Sequence, residues 1–449
     1  SSLVTRHSSL VTRHSSLMLR SGLFSQALVT LVLQLVFTAL TFLTSLVVAW
    51  LGGDEEFGAY STVFTWLFFL SLAAMYGGDD LSSRQVPIYL AAGDTGRIKG
   101  LMAFLLRRLL LATSLGVGLL VVLIELLALP SFVQYRDIYY IGAVSVPACA
   151  VLLQMQSALR AMGKMFYGQL VEKLFLPIIF IALLLAAAYL SPPLTCFSAG
   201  TARSLTFVLV ALAAAWLFYR LLPKSQTIAI EAQERRAWNQ SCLYFMLTTL
   251  LYAVSTRLDI ALLDLYQTPS ASIAHYNAAA RFADVLAMPF MLAATVGLPT
   301  FSKLHHAGDK AALQRFYTQI TLLAFALTAI GTAILLLWGD FFLSWFGESF
   351  RAGYDALLPL ALAKLVHAFV GPASAVLMMS GYERAGLFST MLSVLVSVLL
   401  QYALIPTYST LGAAYGVLGG LLVFELVQIV LLYRCVGLRL LALGVPRAQ

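Results

Sequence analysis

Charge is what this sequence has least of. Of its 449 residues, 28 are basic and 20 acidic, 11% in all, against about 25% in an average soluble domain. Hydrophobic residues make up 61%, more apolar surface than a water-soluble fold can bury. Cysteine is scarce as well. Cys149, Cys196, Cys242 and Cys435 are scattered with no CxxC pair, which supports neither a zinc site nor a disulfide framework. No GxxxxGK[ST] motif occurs, so ATP-driven work would need a separate subunit. GxSxG, HExxH and kinase-like sets are missing too, and no cofactor is expected. Asp79–Asp80 could serve a sugar transferase, but that pair falls on the cytoplasmic side and the outer loops are all short. These absences exclude a soluble enzyme and leave a membrane carrier as the leading expectation.

What is present is apolar chain in long runs. Leu101–Leu129 and Leu205–Leu222 match the roughly 20 residues that cross a ~30 Å bilayer core. Candidate spans fall at 25–51, 57–77, 102–129, 138–159, 169–190, 197–219, 240–264, 273–299, 316–339, 353–379, 385–405 and 411–433. The chain therefore reads as an all-α polytopic membrane protein of about twelve helices. The opening SSLVTRH unit, repeated before Met18, is read as a tag or artefactual repeat (1–17), with Met18 as the native start. The remainder divides into an N-terminal six-helix lobe (18–222), an inter-lobe loop (223–238), a C-terminal six-helix lobe (239–434) and a tail (435–449).

Basic residues orient these spans. With both termini cytoplasmic, the opposite side holds only Arg136, Arg203 and Arg351, a strong positive-inside bias. The net charge of +8 is thus a topology signal toward anionic lipid headgroups, and no nucleic-acid partner is needed. A bacterial cytoplasmic (inner) membrane is the expected location. An internal repeat sets the two halves parallel. FGAYSTVFTW (57–66) resembles IAHYNAAARF (273–282), and Ala-Gly-Asp recurs at 92–94 and 307–309. Halves related by an axis along the membrane normal place a central cavity, and the site, between them.

Polar residues inside spans are costly, roughly 2.5–3.5 kcal/mol for a central charge, so their positions carry information. Ser241, Tyr244, Thr248, Tyr252, Ser255 and Asp259 form a stripe at helical period in the seventh span. Gln34, Thr38, Thr41 and Ser45 do the same in the first. The eighth span carries Asn277, Arg281 and Asp284, and the tenth Lys364 and His367. Arg281, Lys364 and Arg257 are expected to form a cationic cavity lining for an anionic substrate such as a phosphate or pyrophosphate, with Asn277, Tyr252 and Gln34 as polar neighbours. Internal pairing, Arg281 with Asp284 or Arg257 with Asp264, is the competing expectation. Asp259, His367 and Asp284 are candidates for ion coupling, histidine because it titrates near neutrality. Glu125, Glu172 and Glu425 read as interfacial. Ser389, Ser393 and Ser397 read as a packing seam.

The stretch YNAAARFADVLAMPFMLAATVGLPTFSKLHHAGDKAALQRF (276–316) resembles the corresponding segment of bacterial polysaccharide flippases, which carry O-antigen or exopolysaccharide units. SGYERAGLFSTMLSVLVSVLLQYALIPTYSTLGAAYGV (380–417) is similar to that family's Gly…Ile-Pro-x-Tyr…Gly-Ala-Ala pattern. EFGAYSTVF (56–64), Arg84 and the Asp of TRLDIALL (256–263) also match. The family belongs to the multidrug/oligosaccharidyl-lipid/polysaccharide exporter superfamily. The resemblance implies two six-helix lobes in a V around a cavity. It also implies flipping of a polyprenyl-pyrophosphate-linked oligosaccharide by alternating access, with a polysaccharide polymerase and glycosyltransferases as partners. Two departures stand out. The first span is uncharged and no helices follow the twelfth, unlike the lipid II branch, and YGGDD (76–80) replaces the usual Gly-Leu. An ion-coupled multidrug exporter of the same superfamily is the main alternative; a membrane glycosyltransferase or ligase and a non-transporting assembly protein are the lesser ones.

Overall fold

The computed structural model describes the backbone of residues 2–126, 130–222 and 231–440, with most side chains from Val32 onward. The side chains of Thr248, Tyr252 and Ser255 lie outside this description, as do those of the 1–17 repeat, residues 223–230 of the inter-lobe loop and the tail beyond 440. Among the described residues the secondary structure is helical throughout, without strands.

α1 (Ser2–Met75) bends at Gly53, whose φ of 80° is a left-handed angle that glycine adopts without a Cβ clash. Its two arms supply the first and second spans. α2 (Gly78–Ala91) prolongs the second span beyond its expected end at 77. α3 (Thr95–Val121) is followed by a π turn, Val122–Leu126, and by α4 (Pro130–Gln134). α5 (Arg136–Ala143) and α6 (Ser145–Ala161) form the fourth span. The fifth is α7 (Met165–Leu170), a π turn at Val171–Phe175 and α8 (Leu176–Leu190). α9 (Cys196–Leu221) is the sixth and α10 (Ala232–Leu265) the seventh. α11 (Ser270–Leu286) runs into α12 (Met288–His306), and α13 (Lys310–Leu343) follows. A 3-10 turn, Glu348–Gly353, leads to α14 (Tyr354–Val370) and α15 (Ala373–Met379). α16 (Glu383–Leu431) bends at Ser409 to make the last two passages. Eight described stretches are long and apolar enough to cross a membrane. Two of them, Val32–Ala91 and Arg384–Val436, have 60 and 53 residues, enough to cross twice.

The outer surface suits lipid rather than water. Leu111, Leu115 and Leu119 on α3, and Leu323, Leu327 and Ile330 on α13, are exposed at helical spacing, as on a bilayer-facing helix. The internal repeat is visible in the backbone. Gly93 and Gly308 both take φ 70°, and the following Asp94 and Asp309 accept from the amides of Arg97 (3.1 Å) and Ala312 (2.8 Å). Each caps the helix that begins the third or ninth span, a contribution of about 1 kcal/mol. The serine seam also forms as expected. Ser393 donates to the Gly420 carbonyl (2.8 Å) and Gln428 to Ser389 (2.8 Å), joining the two arms of α16.

Among the described residues the halves share their largest core at one end. Leu81, Ile98, Leu159 and Phe218 pack within the first half near its basic loops, joined there by Trp238 and Cys242 from the start of α10. Phe301, Tyr317, Leu377 and Leu432 pack within the second half at the same level. At the opposite end a single cluster takes Val48, Phe57 and Phe180 from the first half and Tyr276, Phe282, Phe346 and Phe350 from the second. Polar bonds close this seam. Trp66 donates to Asp264 (2.8 Å), His275 meets Asp54 at 3.3 Å, and Trp50 donates to the Trp345 carbonyl. The halves thus meet most extensively opposite the basic loops, while α10 also packs into the first-half clusters along its length.

Gly58 lets α1 approach this seam. A Cβ there would stand 1.8 Å from the Ser270 carbonyl oxygen, so any side chain forces backbone apart. Gly58→Val is expected to cost the closed seam about 1–3 kcal/mol. In a variant without native cysteines, a cysteine placed at Ala278 should then react faster with a membrane-impermeant thiol reagent. Unchanged labelling would show that this contact does not hold the seam.

Candidate functional site

A cavity of ≈ 300 Å³ lies behind the seam, walled by α1, α6, α8, α9, α10 and α11. Its charged lining is three arginines, Arg203 on α9, Arg257 on α10 and Arg281 on α11, and one acid, Glu172. Glu172 is carried by the π turn at Val171–Phe175. Such single-turn insertions re-aim side chains and recur at functional sites. Gln156 of α6 donates to its carboxylate. Next to it, Lys173 donates to Gln34 Oε1 at 2.7 Å.

Two of the arginines are held without hydrogen bonds to their Nε atoms. The Arg203 guanidinium lies over the rings of Phe180 (4.8 Å) and Phe207 (4.7 Å), a cation–π placement that fixes the charge but leaves its N–H groups to spare. Arg203 Nε, Arg281 Nε and Asn277 Oδ1 are all buried with no hydrogen-bond partner among the described residues. Buried polar atoms are ordinarily satisfied, so two donors and one acceptor stand out as unsatisfied in the cavity wall. The other wall is built of hydroxyls. Thr41, Thr44, Ser45, Ser61, Thr65 and Ser71 line it, and each donates to a backbone carbonyl one helical turn earlier. With their protons committed, the oxygens that remain can only accept. The cavity therefore presents cationic donors on one side and neutral acceptors on the other.

Arg257, Arg281 and Asn277, singled out from the sequence, meet in this lining. Arg257 faces the cavity although it stands off the polar stripe of its helix. The rest of the expected set lies elsewhere. Lys364 is not in the lining; its ammonium pairs with Asp284 Oδ1 at 3.1 Å, across α14 and α11. Asp284 is therefore the partner of Lys364. Asp259 accepts from the Tyr276 hydroxyl (2.6 Å) and from the Ile260 amide (2.9 Å). His367 Nδ1 meets Glu425 inside the second half, its ring 3.8 Å from that of Phe290. Gln34 stands outside the lining as the acceptor for Lys173, and the Tyr252 side chain is outside the described residues.

Two expectations are corrected, those for the two glutamates and for Arg203. Glu172 and Glu425 are not interfacial: the first lines the cavity and the second is 3% exposed. Asp264, offered as a partner for Arg257, accepts from Trp66 across the seam. Arg203 was counted with the loops and belongs to the cavity. Its sequence signal was its place seven residues inside an apolar segment, where a charge is seldom carried without use. Glu172 gave a weaker signal, because only the π turn decides that it faces inward.

The sequence pattern of one protein family, described as polysaccharide biosynthesis protein, matches residues 23–305. No curated protein matches the chain. Solved structures do. An inward-facing multidrug resistance MATE family transporter of the MOP superfamily is 16% identical over 89% of this chain and 94% of its own, with a TM-score of 0.75. The lipid II flippase MurJ, in an inward closed conformation, is 14% identical over 89% and 86%, with a TM-score of 0.72. A MOP superfamily transporter from Pyrococcus furiosus, described as having a binding pocket of reverse polarity, is 17% identical over 92% and 94%, with a TM-score of 0.62. At these identities the structures speak for the fold, which is that of a MOP transporter, while the sequence match covers well over half of the chain and names the family: the chain belongs to the polysaccharide biosynthesis protein family.

Proposed function

We propose that this protein flips a polyprenyl-pyrophosphate-linked oligosaccharide from the cytoplasmic to the outer leaflet of a bacterial inner membrane, by alternating access. The observation that carries the reading is the excess of three arginines over one glutamate in a membrane-buried cavity, with two arginine Nε atoms left without partners. A pyrophosphate supplies the acceptors those donors lack, and guanidinium forks match its oxygens. The opposing hydroxyl wall suits the donor hydroxyls of a glycan. The apolar clusters near the basic loops are distinct, with the start of α10 packed into the first, and a gap between them fits an entrance on the cytoplasmic side, where positive loops reside. Glycosyltransferases on that side would supply the lipid-linked unit, and a polymerase on the other would consume it.

An exporter of cationic drugs on the same fold would meet repulsion from Arg203, Arg257 and Arg281. The titratable candidates for coupling to an ion gradient are Glu172, Asp259 with Tyr276, and His367 with Glu425.

In cells lacking the gene, one defined lipid-linked repeat unit is expected to accumulate while a surface polymer is lost, measured by mass spectrometry of extracted lipids. An unchanged lipid-linked pool with raised sensitivity to cationic drugs would favour the exporter. Arg281→Ala and Arg203→Ala each remove a charge-assisted contact worth about 1.5–3 kcal/mol, so transport should fall by roughly ten- to a hundredfold. Wild-type rates from either variant, at equal membrane abundance, would remove that arginine from the site. Lys364→Met should impair the protein because it strands Asp284, and Lys364→Met with Asp284→Asn should recover most of the loss. A double variant no better than the single one would give Lys364 a role beyond its pair.

A further inference from the structure

A second concavity lies against the same two helices as the cationic cavity. It has a volume of ≈ 430 Å³ and is walled by α1, α11, the first residue of α12, α13 and the turn after it, with Phe42, Phe282, Val285, Gly331, Ile334 and Trp345 among its twelve lining residues. Only Thr38 and Trp345 bring a side-chain donor to it, and the Thr38 hydroxyl already donates to the Gln34 carbonyl (3.0 Å). Nothing polar here asks for a polar ligand. Val285, Ile334 and Trp345 are each about two-fifths exposed, so the rim opens to the bilayer. At Gly331 an added Cβ would stand 2.7 Å from Leu286 Cδ2, so a missing side chain helps to keep the space.

The two concavities share a partition. On α1, Thr41 lines the cationic cavity and Phe42 the apolar pocket; on α11, Arg281 lines the cavity and Phe282 the pocket. The Phe42 and Phe282 rings meet edge to face at 5.0 Å. An amphiphile whose anionic group sits at Arg281 therefore has an apolar pocket one residue away. Depth selects which amphiphile. Arg281 lies about 16 Å along α11 from Ser270 at 1.5 Å per residue, near the middle of a ~30 Å core. A bilayer phospholipid keeps its phosphate at the interface and cannot place it there. A lipid whose head group is carried inside the protein can.

We propose that this pocket binds the polyprenyl tail of the molecule whose pyrophosphate the arginines hold. The inference rests on the flippase reading and adds to it a recognition site for the lipid. The first isoprene units leave the cavity past Phe42 and Phe282, lie between α1, α11 and α13, and continue into the bilayer over the rim. The protein then selects its substrate by both ends, so the tail is more than a passive anchor dissolved in lipid.

The test uses the full-length protein in nanodiscs, with inorganic pyrophosphate and a long-chain polyprenyl pyrophosphate as ligands. Val285→Trp and, on a separate helix, Ile334→Trp fill the pocket from two sides, and size-exclusion profiles and thermal stability check that each folds. The ratio of polyprenyl to inorganic pyrophosphate affinity is expected to fall about tenfold in either variant. Equal ratios in folded variants and wild type would overturn the tail pocket. Absence of inorganic pyrophosphate binding, with Arg281→Ala indistinguishable from wild type, would instead overturn the flippase reading. A photoactivatable polyprenyl phosphate should label the α11 and α13 walls more strongly than a photoactivatable phosphatidylcholine. Equal labelling by the two probes would make this an ordinary lipid contact and sink the proposal.

Discussion

Phe42 and Phe57 of α1 pack against Phe282, Phe346 and Phe350 at the end of the molecule away from the basic loops, and the remaining architecture depends on that contact. Within a bilayer, helices gain little from hiding apolar surface, because lipid tails are as apolar as leucine. Close packing has to hold the halves together. Interlocked rings and the missing Cβ at Gly58 provide it, while the Asp54–His275 and Trp66–Asp264 contacts give the closure a fixed register. The arrangement is also reversible in principle. A seam of packed rings and a few polar bonds can part while the separate clusters near the basic loops stay packed.

Behind this seam the charges are distributed unequally. Away from the cavity two ion pairs are matched, Lys364 with Asp284 and His367 with Glu425. In the cavity the cations outnumber the acid. A net positive chamber in a medium of low polarity is expensive, and rings meet part of the cost for Arg203 by taking its guanidinium against their faces. Arginine suits this position better than lysine because its charge is spread over a plane that stacks and still offers edge donors. The excess of cations over acid in the chamber suits a site that takes up an anion. The apolar pocket beside it completes a surface that changes from charged to greasy across a single pair of aromatic residues, which matches the character of a lipid-linked sugar.

Much of the fold was legible in the sequence. The scarcity of charge forced a membrane protein, since every unpaired polar group in the core of a bilayer is penalised. The placement of the basic residues predicted a cytoplasmic side, and the Ala-Gly-Asp repeats marked equivalent helix starts that the backbone bears out. Arg257, Arg281 and Asn277 could be named because charge and amide inside an apolar run carry their own cost as a signal. The second span's continuation through α2 was missed because YGGDD looks like a terminus, with glycines and acids that in fact open the next helix.

Which polar residues meet was decided only by the tertiary structure. Helical periodicity assigns a residue to a face but does not say what that face meets, so Lys364 could not be matched to Asp284 eighty positions away. Nor could Glu172 be assigned inward, because a π turn resets the face that follows it. Arg203 looked like a loop residue until the rings of Phe180 and Phe207 were seen beneath it. The sequence by itself determined the solvent this chain lives in, its helices and their order. The three-dimensional packing decided where uncompensated charge collects, because pairing depends on distances between helices that no spacing along one helix contains.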